Sequence, residues 1–256
     1  MKSYSFADSL DVVGWAGRGG HDAGELLAQV QSGRTDVAEH LVDWLLTSAA
    51  TRLRIELYDG DTTLASVLID AGFEPQRHRR TVGVFRSADG ASPQLPPGYV
   101  IRSVRLEDGE SRVKVHRAAW RPASLPYVDG RTLDRAAECS FSSDAYDAVR
   151  GAWLYNAELD LVVLAPDRSL AACCIVWLDP TTGVAEIEPV GVVPEHRRRG
   201  LAVALCLEAA VRVGERGGHR LFINTGPREE YPAPGGAYRK AGFEAVERGT
   251  EYTRNR

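Results

Sequence analysis

The sequence predicts a mixed α/β fold, a mostly antiparallel sheet flanked by helices, and three features of its second half carry that prediction. The apolar runs LDLVVLAP, LAACCIVWLDP and VAEIEPVGVV follow one another across the short turn signals DRS and PTTG, the pattern of an antiparallel meander. The next stretch, RGLAVALCLEAAVRVGERG, changes to helical period. Glu208, Arg212, Glu215 and Arg216 fall at i, i+4, i+7 and i+8 there, one polar stripe on an otherwise apolar cylinder. Such a helix lies largely buried against a sheet. Strand-like and helical stretches then alternate through RLFINTG, PGGAYRKAG and FEAVERGTEYTR to the end of the chain.

Ahead of the meander, RSADGASPQLPPG (residues 86–98) is rich in Ser, Pro and Gly and reads as a linker. YVIRSVR alternates like a strand, and LEDGESRVKVHRAAW reads as a helix with acids near its start. Residues 121–158 break into short helical and loop-like pieces that carry Tyr127, Phe141, Tyr146, Trp153 and Tyr155. The expected order is therefore strand, helix, three strands, helix, strand, helix, strand. We divide the chain into a smaller domain at 1–86, a linker at 87–97 and a main domain at 98–256.

Composition narrows the function. A formal charge of −4 and an isoelectric point near 5.9 argue against a general polyanion binder. The four cysteines, Cys139, Cys173, Cys174 and Cys206, show neither a CxxC nor a Cys/His ligand spacing, so no zinc site or disulfide framework is expected. Adjacent Cys173 and Cys174 lie in a strand-like run, where neighbouring side chains point to opposite faces, and read as small buried apolar groups. MKSYSFADSLDVVG lacks the apolar core of a signal peptide, and no run approaches a membrane span, so a cytoplasmic protein is expected.

A repeat is also present. LIDAGFEPQRH (68–78) and YRKAGFEAVER (238–248) share AGFE, each between a helical and a strand-like stretch, and LRIELYD resembles RLFINTG.

The chemistry concentrates in PEHRRRGLA (194–202), between a strand and the apolar helix. A helix start leaves its first amides unpaired and carries partial positive charge. Gly200 removes the side chain that would hold a ligand off those amides. Arg197, Arg198 and Arg199 add donors suited to phosphate, so the stretch reads as a pyrophosphate cradle. It is neither GxxxxGK[ST] nor GxGxxG.

Val192-x-Pro194-x-x-Arg197-x-x-Gly200-x-Ala202 resembles the V-x-P-x-x-R/Q-x-x-G-x-G/A acyl-CoA signature of the GCN5-related N-acetyltransferases, and the element order resembles that family's fold. The resemblance implies acetyl-CoA as co-substrate, held by Arg197, Arg198, Arg199, Gly200, Leu201 and Ala202, with no metal. It implies that amides at Val190, Val192 and Val193 polarise the thioester. It further implies a donor-side Asn at the end of the next strand, which is Asn224, and an acidic Tyr before a Gly-Phe pair, which is Tyr238 before Gly242-Phe243. A phenol of pKa near ~10 is suited to protonating a thiolate. Glu186 and Glu188 share a strand face, and Glu188, Glu186 or water is the expected base. The family often has a second Asn where this chain has PREEYPAPGG, which implies a different loop around the pantetheine arm or the acceptor.

In the first half, Leu68 holds the position of Tyr238, no such signature occurs, and GRGGHDAG (17–24) does not fit it. That half resembles a degenerate, non-catalytic copy, and the layout resembles the family's tandem members. The expected activity is acetyl transfer to a primary amine, small-molecule or peptide, by a monomer or homodimer engaging neither nucleic acid nor membrane. The alternative is a non-catalytic acyl-CoA-binding regulatory module. Acceptor choice is expected from residues 120–158, with Trp120, Arg121, Tyr127 and Trp153, and from the 226–236 loop.

Overall fold

The computed structural model describes residues 3–8, 11–18, 24–85, 93–121, 125, 138–226 and 231–255. In chain order the elements are β1 (Ser3–Asp8), β2 (Asp11–Arg18), β3 (Glu25–Val30), α1 (Thr35–Leu45), β4 (Arg52–Tyr58), α2 (Thr62–Asp70), β5 (Glu74–Phe85), β6 (Val100–Ser103), α3 (Gly109–Ala119), α4 (Ser143–Arg150), β7 (Asp160–Leu164), β8 (Leu170–Asp179), β9 (Val184–Val192), α5 (Leu201–Glu215), β10 (Arg220–Thr225), α6 (Pro232–Lys240) and β11 (Phe243–Asn255). They form two compact units, residues 82–246 and residues 1–81 with 247–256, so β5 and β11 each contribute to both. The fold is the mixed α/β type expected, with a mostly antiparallel sheet flanked by helices.

In the unit formed by the chain's two ends, β1–β2–β3 is an antiparallel meander, β3 pairs β4 parallel, and β11 pairs β4 antiparallel. The buried residues of α1, Val37, Ala38, Leu41, Val42 and Leu45, recur at helical spacing and share one cluster with Leu53, Ile55 and Leu57 of β4. Leu68 of α2 is fully buried in that cluster.

The AGFE words take one local form in both places. Gly72 and Gly242 end α2 and α6 at φ 83° and 95°, a left-handed conformation that glycine adopts without steric cost. Phe73 and Phe243 then bury their rings.

In the 82–246 unit the strand order is β5–β10–β9–β8–β7–β6. β7, β8 and β9 pair antiparallel, as the meander predicted; β6 adds to β7 antiparallel, while β9 and β10 run parallel. One face carries Leu161, Val163, Cys174, Val176, Ile187 and Ile223 against Leu201, Leu205, Cys206 and Ala209 of α5. The other face carries Val162 and Cys173 against Val115 of α3. Cys173 and Cys174 are thus buried on opposite faces, as strand alternation requires. The polar stripe of α5 is joined by an Arg212 Nε–Glu208 Oε1 bond of 2.8 Å.

Within the ambiguous 121–158 stretch the structure adds α4, whose first turn is capped by Ser142 accepting from the Ala145 amide. Beneath α3 and α4, Arg112 and Asp160 are both completely buried and joined at 2.8 Å. Tyr146 and Tyr155 also donate to Asp160, at 2.7 and 3.2 Å. A cavity of about 300 Å³ opens beside Tyr146, Tyr155 and Arg150 and shares none of the residues expected to bind the donor.

Candidate active site

The β9–β10 ladder ends at Ile187–Ile223, although β9 runs on to Val192 and β10 to Thr225, so a fork opens between them. At the same level β9 bulges: Cys174 faces Val190 and Val176 faces Ile187, which sets Glu188 and Pro189 opposite Ile175 alone. The Glu188–Pro189 bond is cis. The Trp177 indole donates to the Glu188 carbonyl at 2.6 Å and braces the bulge.

The pairing of β8 decides which amides face the fork. The Val193 amide donates to the Ala171 carbonyl at 3.0 Å. Antiparallel ladders alternate bonded and non-bonded pairs. Gly191, opposite Cys173, is therefore also committed to β8, while Val190 and Val192 turn their amides toward the fork. The expected set of thioester-polarising amides is corrected accordingly: Val190 and Val192 remain and Val193 drops out, because its proton is already shared.

Beyond β9, a 3-10 turn at Pro194–His196 leads to the glycine. The Tyr99 hydroxyl meets His196 Nδ1 at 2.8 Å and holds that turn. Arg197 departs from expectation. Its Nε donates to the Val192 carbonyl and its Nη2 to the Ala119 carbonyl, both at 3.1 Å, so it braces backbone instead of offering these groups to phosphate. Arg198, at φ 64°, and Arg199 are exposed. Gly200 caps α5 at φ 81°, no side chain caps the helix, and nothing lies within 4 Å of where its Cβ would be. The amides at Leu201 and Ala202 thus begin a 15-residue helix beneath open space, a good fit to a pyrophosphate.

Of the chemistry-bearing side chains, Glu186 and Asn224 are brought together, with Asn224 Nδ2 donating to Glu186 Oε1 at 2.7 Å. Tyr238 packs half-buried against the α5 cluster. Burial, with Cys206, Glu188, Tyr231 and Cys174 nearby, pushes its phenol well above the ordinary value and keeps it protonated. Tyr238 and Glu188 are therefore electrostatic neighbours, and Glu188 itself is exposed. This arrangement can hold an anion at the helix start, polarise a carbonyl at Val190 and Val192, and pass a proton from Tyr238.

Of the residues expected to choose the acceptor, Trp120 packs on Gly191, where any Cβ would lie 2.2 Å from its ring. Trp153 is 80% exposed, Arg121 is exposed, and Tyr127 lies outside the described residues. One group escaped the sequence reading. His116 is sandwiched between Trp120 and Phe141, with ring centroids 4.4 and 3.9 Å away and interplanar angles of 27° and 25°. The i, i+4 spacing of His116 and Trp120 on one helix was the available signal.

Burial and the Arg112 charge lower the His116 pKa from 6.5 to about 4. Below about 6.5 the unfolded chain takes up a proton that the folded chain refuses, so stability falls as pH drops from 6.5 toward 4. Melting curves across that window are expected to fall less steeply for His116→Phe than for the wild type.

The acetyltransferase (GNAT) family model matches residues 127–243. Over 241 residues the chain is 29% identical to a mycothiol acetyltransferase of Clavibacter sepedonicus, an alignment spanning 91% of this chain and 74% of that protein. Among solved structures it is similar to a GCN5-related N-acetyltransferase from Sphaerobacter thermophilus, with a TM-score of 0.67 at 18% identity over 96% of this chain and 77% of that one. It is also similar to a tandem GNAT protein from the clavulanic acid biosynthesis pathway, with a TM-score of 0.60 at 14% identity over 99% and 82%. At these identities the structural likeness is one of fold.

Proposed function

We propose that the chain, which the acetyltransferase (GNAT) family model matches over residues 127–243, is an acetyltransferase of that family and transfers an acetyl group from acetyl-CoA to a primary amine of a small-molecule acceptor. The observation that carries the reading is the fork: β9 and β10 part where the Val190 and Val192 amides turn outward and Tyr238 lies near Glu188. In this reading Gly200, Leu201 and Ala202 bind the donor's pyrophosphate through their amides, with Arg198 and Arg199 exposed beside them. The amine attacks the thioester carbonyl directly, because acceptor and donor are held side by side. Val190 and Val192 stabilise the developing oxyanion. Glu188, Glu186 or a water receives the amine's proton, and Tyr238 gives one to the departing thiolate.

Residues 98–256 are the catalytic domain in this proposal. Residues 1–86 are a non-catalytic, degenerate copy, since aliphatic Leu68 stands at the position of Tyr238 and is sealed in a core. A small amine is favoured because the relative from Clavibacter is named for a small-molecule acceptor. Among the described residues no helix is long and apolar enough to cross a membrane.

The test is thiol release from acetyl-CoA across a panel of amino sugars, polyamines, aminoglycosides and peptides. Release dependent on one amine class is expected. Binding of acetyl-CoA without release in any case identifies a non-catalytic module.

A further inference from the structure

The cavity beside Tyr146 belongs to neither the helix start at Gly200 nor the fork. It lies at the β6 end of the sheet, and β6 is the edge strand, three strands from β9. At the ~4.8 Å spacing of neighbouring strands that is roughly 14 Å. Its walls come from the β6–α3 connection (Val104, Arg105, Leu106), from α4 (Tyr146, Arg150) and from the segment before β7 (Tyr155, Ala157). At about 300 Å³ it reaches the small-molecule range, roughly 300–1,000 Å³.

The polar groups of the walls decide what fits. Tyr146 and Tyr155 donate their hydroxyls to buried Asp160, at 2.7 and 3.2 Å, so ring carbon is what they have left to offer. Burial, with Asp160 nearby, pushes both phenols up, and neither carries a negative charge. Val104, Leu106 and Ala157 add aliphatic surface, and Leu106 is 87% exposed. Among the described residues that line the cavity, the two charged ones are both arginines. The Arg150 guanidinium stands 5.3 Å from the centre of the Tyr146 ring. Each arginine has an acidic neighbour outside the walls: Arg150 Nη2 donates to Asp147 Oδ1 at 2.5 Å, and Arg105 Nη1 is 3.8 Å from Glu107. Both acids are exposed, so water screens these pairs, and a guanidinium has five N–H donors to share.

Cationic donors beside aromatic and aliphatic walls fit an anion with a flat apolar body. We propose that this cavity is a second ligand site of the chain, taking a small aromatic carboxylate whose ring lies against Tyr146 and Tyr155 and whose carboxylate pairs with Arg150, with Arg105 as the second cation. An uncharged ring gains nothing from the arginines, and a carboxylate without a ring leaves the apolar walls uncovered.

The test is calorimetric titration of the full chain with phenylacetate, with phenylacetamide as its uncharged counterpart and acetate as the carboxylate without a ring. Phenylacetate is expected to bind at least tenfold more tightly than either, and to keep its affinity with millimolar coenzyme A present. Arg150→Gln, at an exposed position, should keep the melting temperature and weaken phenylacetate at least tenfold. Ala157→Trp, which fills the cavity without touching a charge, should weaken it as much. Equal binding of phenylacetate and phenylacetamide, unaltered affinity in both variants, displacement by coenzyme A, or no binding of phenylacetate overturns the proposal. The readout needs no turnover, so its outcome is independent of the amine panel.

Discussion

Replacing Tyr238 by Phe is expected to lower kcat by about 10²-fold or more while acetyl-CoA affinity stays the same. The substitution isolates one hydroxyl. The ring packs against the α5 cluster and approaches Phe243 with centroids 6.3 Å apart, and Phe preserves both contacts. What disappears is the proton that burial and the neighbouring Cys206 and Glu188 hold on the phenol. A departing thiolate that must take its proton from water loses the advantage of a positioned acid. Steady-state kinetics with the best amine, paired with calorimetry of acetyl-CoA binding, separate the two effects. Unchanged turnover would remove Tyr238 from the chemistry.

The second large effect is on stability. Asp160→Asn is expected to destabilise the fold by about 3–5 kcal/mol, because it strands the Arg112 charge in the interior. Both side chains of the pair are 0% exposed. Arg112 Nη1 and Nη2 have no hydrogen-bond partner among the described residues, so Asp160 is its one carboxylate, helped by the Tyr146 ring 5.5 Å from the guanidinium. In a chain of this size the loss corresponds to a fall in melting temperature of roughly 10 °C. The paired change Arg112→Met with Asp160→Leu should recover most of it, because an apolar pair leaves no charge to compensate. Thermal denaturation of the wild type, Arg112→Met, Asp160→Leu and the double variant completes the cycle, with Asp160→Asn measured beside it. A double variant no more stable than Asp160→Asn would show that the pair contributes through more than mutual compensation.

The contrast between these residues explains what was legible in the sequence. Features set by local periodicity were visible. The alternation of LAACCIVWL put Cys173 and Cys174 on opposite faces, and Gly200 marked the helix start beneath open space, whereas the polar stripe on α5 turned out to be bonded inward, Arg212 to Ser103 and Glu158 and Arg216 to Glu158. Features set by distant partners were not. Arg197 turns inward because a carbonyl 78 residues earlier in the chain, that of Ala119, lies within reach. The fate of the Val193 amide depends on Ala171 in the neighbouring strand, and the Arg112–Asp160 pair joins positions 48 apart. His116 acquires its character from Phe141, which α4 delivers from a stretch without clear periodicity. A short helix with one good cap gives too little pattern to distinguish from loop. The open helix start was readable because a helix terminus and its glycine are contiguous, whereas the fork between β9 and β10 is assembled from separate elements.

The central claim, that donor binding rests on the open amides at the start of α5, is tested most directly by calorimetric titration of acetyl-CoA into the wild type and Gly200→Val. At φ 81° a β-branched residue strains the turn and projects methyl groups over those amides, although no neighbouring atom obstructs it. Binding by the wild type and at least a tenfold weaker affinity in the variant, about 1.4 kcal/mol, is the predicted result. Equal affinity in the two folded proteins, or no binding by the wild type, would contradict it.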